Sequence, residues 1–536
     1  MALSKLCDDS GKWFLADLTS QIVAESGIPS DRYHIGKIIL HNFRKYPDFV
    51  LQIDGATDER ETFGSVLERS VRCANCFRKL GLQTGDVIVL MAPNHLDITV
   101  PFYAAIYLGV IVAAIDRTLT TSDFSYPKII FCQSERAPEV QLALNELNMD
   151  TKIVTFDKGD YLCHFADFLE EHGGDTDVEA FRPNDFDAET AIAFLVATSG
   201  TTVCPAIAEI HKPFLFRLDA RKFPTPTRLA MVCSPLQWLT AIMTFLGSAM
   251  LKYTRVQTSV NATEELVYHM INTYRPTFTI LSPTMMTSLL KPDKRDRCDF
   301  SCFESIILGG SAVPQDLVDT LKTLAPYAQI RNIYGMSELA GICFYGDNPA
   351  PGSCGKPMGC FQYRLVNADT QEDIDEPMVP GELLLKGPTI FKEYYNNPEA
   401  TEETFAEDRW FKTGDLFYRD DNFNFFFVER YKLLLKYKGY QISPVELENV
   451  IRQHPAVLDV AVTGIPEPSC GELPVACVVR QGDVSAQDIK DIVKDNLSDA
   501  KQLRGGVIFV DAIPLTPSTK VHRRKLREMA LVLPRE

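Results

Sequence analysis

No stretch of the sequence is apolar for long enough to cross a bilayer. The longest apolar run, residues 238–251, falls short of the roughly 20 residues a spanning helix needs. The first residues, MALSKLCDDSGKWF, have no unbroken apolar segment behind their charges, so a secretory leader is not expected. Basic charge is in deficit: 54 Lys and Arg stand against 71 Asp and Glu, a net charge of −17. Such a field repels polyanions, so nucleic-acid binding is not expected and any anionic ligand needs a locally basic pocket. The 14 cysteines show no repeated spacing. One CxxC, Cys73 to Cys76, has no second pair to complete a zinc site, so ordinary reduced thiols are expected. Internal repeats and low-complexity linkers are also missing. The chain does not end in Ser-Lys-Leu, which favours a cytoplasmic location over a peroxisomal one.

What is present is a chain of 536 residues, 46% apolar and 23% charged, within the globular range. At about 150 residues per domain it should form three or four units. From about residue 35 to 330, strand-like runs at 86–91, 128–132, 152–156, 277–281 and 305–308 alternate with amphipathic segments, the pattern of βα units and mostly parallel sheets. Between about 352 and 428 the texture shifts to short strands, Pro and Gly turns and aromatic runs such as 424–428, a small β subdomain. After Arg430 a separate α+β domain is expected. Its first helix is announced by Ser443, Pro444 and Glu446. Strands near 458–462 and 475–479, a helix near 486–497 and a strand at 507–510 follow, then a basic tail at 516–527.

The apolar run 191–197 reads as a buried strand that delivers Thr198, Ser199, Gly200, Thr201 and Thr202. Hydroxyls and backbone N–H groups without bulky side chains can wrap phosphate oxygens. By composition alone such a cluster is an ordinary loop as readily as a phosphate site. Its company carries more information: Tyr334-Gly335-Met336-Ser337-Glu338, the strand 381–386, the segment 396–401, Thr413-Gly414-Asp415, the run 429–438 followed by Gly439 and the segment Thr516–Lys520, in that order.

The ordered set resembles the adenylate-forming superfamily that contains acyl-CoA synthetases, coumarate-CoA ligases and firefly luciferase, and the resemblance covers nearly the whole chain. It implies a multidomain α/β fold. Residues 1–429 would be an AMP-binding domain of two α/β subdomains and a β-barrel at about 352–428. A hinge at about 430–432 would join it to a small mobile α+β domain, 430–536. It also implies the chemistry: a carboxylate attacks the α-phosphate of ATP, pyrophosphate leaves, and the thiol of CoA attacks the acyl-adenylate. By matching motif, Glu338 would hold Mg²⁺ and Ser337 would contact the α-phosphate. Asp415 would accept the ribose hydroxyls with Arg430 nearby, and Thr198 to Thr202 would take the phosphates. Gly309, Gly310 and Ser311, with Asn332, Ile333, Tyr334 and Gly335, would enclose the adenine. Lys520 would bridge carboxylate and phosphate oxygens during adenylation, and Lys436 would serve the second half-reaction after the small domain turns.

Three departures stand out. Where the family's phosphate loop usually continues Gly-x-Pro-Lys-Gly, this chain has Val203, Cys204, Pro205, Ala206 and Ile207, so two glycines and a cation are gone. Trp238 stands where many relatives have a His beside the acyl or luciferin pocket, and Glu393 replaces a frequent Gly. The leading expectation is a ligase joining CoA to a medium or long-chain fatty acid, with the acid, ATP and CoA as its partners. Its competitors are a catalytically weak or inactive relative that binds acids or partners, and a luciferase-like monooxygenase.

Overall fold

The computed structural model describes residue 20 and residues 34–115, 127–159, 163–174, 176–188, 190–196, 205–207, 229–291, 295–346, 350–358, 360–516 and 520–536. Two seven-stranded sheets dominate. In the first, the strand order is Gln329–Asn332, Ser305–Leu308, Phe278–Leu281, Leu229–Met231, Thr254–Gln257, Val50–Asp54, Arg60–Thr62, parallel except for the last pair. The second runs Glu393–Tyr394, Pro205–Ile207, Phe194–Val196, Ile111–Ala114, Val87–Met91, Ile129–Cys132, Lys152–Thr155, parallel from Phe194–Val196 onward. The central strands are Val, Ile and Leu-rich because both faces are covered: every residue of Val87–Met91 and Ser305–Leu308 is buried. The strands expected at 86–91, 128–132, 152–156, 277–281 and 305–308 form with ends shifted by a residue at most, whereas the strand expected at 191–197 is confined to Phe194–Val196, with residue 197 outside the described residues.

Helices Thr99–Leu108 and Leu239–Leu251 lie in the main hydrophobic core with residues of both halves. Thr99–Leu108 is buried on all sides, and the Tyr103 hydroxyl donates to the Phe245 carbonyl at 2.8 Å. Among the described residues no helix is long and apolar enough to cross a membrane. Cys73 and Cys76 are both free and buried inside helix Phe63–Lys79, with burial pushing the Cys76 thiol up to about 12. The CxxC is therefore core packing.

Residues 362–430 form a four-stranded antiparallel sheet in the order Gln362–Val366, Gly381–Lys386, Phe411–Arg419, Phe425–Arg430. The expected β-barrel is not found. The first and last strands do not pair among the described residues, and the sheet stays open. Its apolar face is closed instead by an aromatic cluster in which Phe344 stacks on Phe425 at 4.5 Å.

The C-terminal domain is built on a five-stranded sheet. Tyr440–Ile442, Leu435–Tyr437, Gly471–Arg480 and Val457–Glu467 run antiparallel, and Gly506–Phe509 lies parallel to Gly471–Arg480. Ser443 caps helix Pro444–Ile451, and Ser485 with Asp488 forms a capping box on Ala486–Asn496. The basic tail leads into helix Arg523–Val532, whose Leu526 and Ala530 are buried against the sheet.

Candidate functional site

In the first sheet the parallel strands Ser305–Leu308 and Gln329–Asn332 end side by side and release Gly309-Gly310-Ser311 and Ile333-Tyr334. Ligands in open α/β sheets collect at this rim. Gly310 takes φ +93°, a region costly for any side chain. A Cβ on Gly309 would lie 2.7 Å from Ile333 Cγ1. Asn332 donates to the Ser353 carbonyl at 3.1 Å, which fixes the strand's end.

Gly335 sits where strand Tyr334–Met336 meets Gly341–Tyr345 so closely that a Cβ would lie 2.2 Å from the Gly341 carbonyl oxygen. A Gly335→Ala chain should therefore lose about 1–3 kcal/mol of stability and displace Tyr334 and Ser337. A lowered thermal midpoint together with weakened nucleotide binding would register it.

Beyond Gly335 the chain makes a tight turn, Ser337–Leu339, that carries Ser337 half-buried and Glu338 buried. Tyr394 donates its hydroxyl to Glu338 Oε1 at 3.0 Å, and burial raises the Glu338 carboxyl above its ordinary value. Tyr394 is a partner that the motif reading missed, although it adjoins the recognised segment 396–401. The strand containing it pairs with Pro205–Ile207, bringing the end of the altered loop beside this turn. Thr198, Ser199, Gly200, Thr201, Thr202 and Val203 lie outside the described residues.

Asp415 and Arg430 are direct cross-strand partners, which explains their ion pair of 3.0 Å between Arg430 Nε and Asp415 Oδ1. The other Asp415 oxygen accepts the Tyr334 hydroxyl at 2.6 Å, and the Asp415 backbone N–H donates to the Thr413 hydroxyl at 3.1 Å. The Tyr334 ring is held edge-on by Phe417 at 4.7 Å. Burial, followed by the Asp415 charge, raises its hydroxyl far above the ordinary tyrosine value.

Lys520 comes from the other end of the sequence, and its Cε reaches to 3.8 Å from a Cβ built on Gly310. The residue as a whole is open to solvent, yet its amine sits in the field of Arg430, Asp415 and Glu338. Desolvation and then Arg430 hold its pKa below the usual lysine value, against the opposite pull of the two carboxylates. Lys436, by contrast, is exposed on strand Leu435–Tyr437 and stands outside this cluster. Among the described residues no three His, Cys, Asp or Glu side chains converge as a metal cage. Mg²⁺, however, commonly takes one protein carboxylate and completes its shell with phosphate oxygens and water, and the buried Glu338 fits that demand.

One contact between the two domains also escaped the motif reading. Glu429 is buried at the end of strand Phe425–Arg430 and accepts from the backbone N–H groups of Arg430 at 2.8 Å and Val445 at 3.3 Å. It faces Arg523, which itself donates to Glu448 at 2.7 Å. Burial pushes the Glu429 carboxyl up to about 7, from an ordinary 4.5. Below pH 4.5 the group is protonated whether the chain is folded or not. From 4.5 to 7 the unfolded chain ionises first, so the burial cost grows through that window and is constant above it. Glu429→Gln should therefore gain stability relative to the parent between pH 5 and 7.5, on the order of 1–3 kcal/mol, and show no further gain above. Thermal midpoints of both chains across that range test it; a difference independent of pH would refute the assignment.

Comparison with known proteins adds to this geometry. The family model described as AMP-binding enzyme matches residues 39–395, and that described as AMP-binding enzyme C-terminal domain matches residues 446–520. The chain is 32% identical over 519 residues to a luciferin 4-monooxygenase of Photuris pensylvanica, covering 92% of this chain and 95% of that protein. It is 30% identical over 526 residues to a 4-coumarate–CoA ligase of Pinus taeda, covering 93% and 95%. Among solved structures, an anthranilate CoA ligase in complex with anthranoyl-AMP superposes with a TM-score of 0.83 at 22% identity, covering 93% of this chain and 97% of the other. The luciferase-like enzyme from the nonluminescent Zophobas morio mealworm gives 0.67 at 28% identity, covering 75% and 96%.

Proposed function

Because the chain belongs to the AMP-binding, adenylate-forming enzyme family, we propose that it joins a carboxylic acid, of medium or long chain length, to CoA through an acyl-adenylate. The observation that carries this reading is the convergence of Lys520, Arg430, Asp415 and Glu338 at the rim beside Gly310. Two cations and two carboxylates around one rim suit a reaction that moves negative charge onto phosphate oxygens. In this reading residues 430–432, where the last strand gives way to the turn Tyr431–Leu433, are the hinge between domains 1–429 and 430–536.

Asp415 accepts the ribose hydroxyls, exchanging its present partners for them. Gly309, Gly310 and Ser311 offer flat backbone to the base, with Asn332, Ile333, Tyr334 and Gly335 closing around it. Ser337 donates to the α-phosphate. Thr198, Ser199, Gly200, Thr201 and Thr202 supply hydroxyls and N–H groups to the remaining phosphates. Lys520, already partly desolvated, places its charge between the acid's carboxylate and the α-phosphate, where charge develops. Lys436, exposed as it is, acts only after the C-terminal domain turns to bring it in, for thioester formation with CoA. Mg²⁺ at Glu338 would neutralise charge on the phosphate oxygens. The cytoplasmic location belongs to the same reading.

Acid-dependent release of AMP and pyrophosphate, with ATP, Mg²⁺ and CoA across aliphatic and aromatic acids, tests the proposal. No product with any acid would sink it. A second reading, a weak or inactive relative that binds acids, is favoured by Val203, Ala206 and Ile207, and would show acid binding without turnover. Light from luciferin, ATP and oxygen would support the monooxygenase alternative instead.

A further inference from the structure

Away from the nucleotide end, the rim of the first sheet continues through Ser282 to the loop after Leu229–Met231, residues 232–238. Two strand spacings separate that loop from Gly309, about 10 Å. In the acid-activating reading, an acid whose carboxylate meets Lys520 extends its body along this rim. At the loop, the rim of the second sheet comes across to meet it. Asn94, three residues beyond the end of strand Val87–Met91, is buried and uses both ends of its amide on the loop. Its Nδ2 donates to the Ser234 carbonyl at 2.8 Å, and its Oδ1 accepts the Leu236 N–H at 3.0 Å.

Asn94 is itself held from behind. Its carbonyl accepts from Gln257 Nε2 at 2.9 Å, and Gln257 Oε1 accepts from Arg255 Nε at 2.7 Å. Arg255 is wholly buried with its guanidinium over the Phe245 ring at 4.2 Å, and its other donors go to Gln52, Ser248 and Tyr103. A buried cation surrounded by satisfied neutral acceptors resists rearrangement, because any shift leaves donors unpaired. The loop is thus clamped to both sheets.

What the clamp presents is unusual. Trp238 follows directly, and its Nε1 is buried with no hydrogen-bond partner among the described residues. The same holds for Nε2 of His95, the neighbour of Asn94, whose ring packs edge-on to Phe156 at 4.3 Å. Burial lowers the His95 pKa to about 4, so the ring is neutral near pH 7. A buried donor left unpaired costs roughly 1–3 kcal/mol, and it costs nothing once a ligand acceptor meets it.

We propose that Asn94 is a positioning residue that fixes residues 234–238, so that Trp238 Nε1 recognises a hydrogen-bond acceptor on the body of the acid. The acid is then one bearing a hydroxyl, oxo group or ring heteroatom remote from its carboxylate, rather than a plain alkyl chain. The inference rests on the acid-activating reading and narrows its substrate.

The test uses the full chain and matched acids: decanoate with its hydroxy and oxo derivatives, and phenylpropanoate with its hydroxyphenyl and pyridyl counterparts. The wild type should prefer the best acceptor-bearing member by at least about tenfold in kcat/KM. Trp238→Phe keeps an aromatic ring and removes the donor, so it should bring that ratio near one by lowering kcat/KM for the acceptor-bearing acid. Asn94→Ala should raise KM for acids about tenfold with KM for ATP within about twofold, and Asn94→Asp, which keeps the acceptor for Leu236, should recover part of the loss. Equal use of plain and substituted acids, an unaltered ratio in Trp238→Phe, or a parallel rise of both KM values in Asn94→Ala would overturn it. If no acid is turned over, the ligase reading has failed, and calorimetric binding of the same acids decides the inference separately: a preference lost in Trp238→Phe supports it, and no preference overturns it.

Discussion

Lys520→Ala leaves a folded chain whose acid-dependent pyrophosphate release falls by roughly 10²–10³-fold. Folding should survive because the residue as a whole is solvent-open and the backbone around it is held by other groups: Thr516 N donates to the Lys520 carbonyl at 2.7 Å, a bond that alanine keeps. Chemistry should not survive. In the proposed reading the amine is the cation that the C-terminal domain brings beside Gly310, where its Cε lies, and Arg430 is already committed to Asp415. The loss should therefore fall on kcat for adenylation, with ATP affinity changed far less. Thioester formation from a supplied acyl-adenylate and CoA should be nearly intact. Lys436→Ala should give the reverse pattern, since that side chain is exposed outside the cluster in this arrangement. Pyrophosphate exchange and acyl-adenylate consumption, measured separately on both variants, decide it. Equal loss in both half-reactions for Lys520→Ala would show that the residue supports the fold rather than the first step.

Much of this site was legible in the sequence because its residues belong to short segments that each sit on one structural feature. Ser305–Leu308 is an unbroken apolar run, so a parallel strand and the glycine turn after it could be read directly. Asp415 and Arg430 lie in two recognised segments, and strand register turned that proximity in sequence into an ion pair. What the sequence did not disclose depends on pairing between distant segments. Tyr394 reaches Glu338 only because its strand lies beside Pro205–Ile207, and Glu429 meets Arg523 only through domain docking. The small β unit was expected to close into a barrel. Alternating short strands predict antiparallel pairing but say nothing about closure, and here the aromatic cluster covers the sheet's face without it. The helix Arg523–Val532 was hidden by its charge: four of its first five residues are basic, while two apolar contacts, Leu526 and Ala530, anchor it.

Restoring the loop with Val203→Gly, Ala206→Lys and Ile207→Gly should raise kcat/KM for ATP about 10- to 100-fold, the value of one to two charge-assisted contacts with phosphate. The register tempers that gain. Ala206 pairs with Glu393 in the strand register, so that carboxylate would compete with phosphate for a cation introduced at position 206. Adding Glu393→Gly to the triple change should therefore yield a further severalfold increase. Glu393→Gly alone should do little, because no cation has been restored. The altered loop and Glu393 are thus one local change seen on adjacent strands, beside the turn that carries Glu338. Steady-state kinetics with ATP varied at saturating acid separates the cases. A triple variant with unchanged ATP dependence would mean that this loop does not limit nucleotide use. A large gain from a nearly inert parent would identify the natural protein as an acid binder whose ligase activity was lost at these positions.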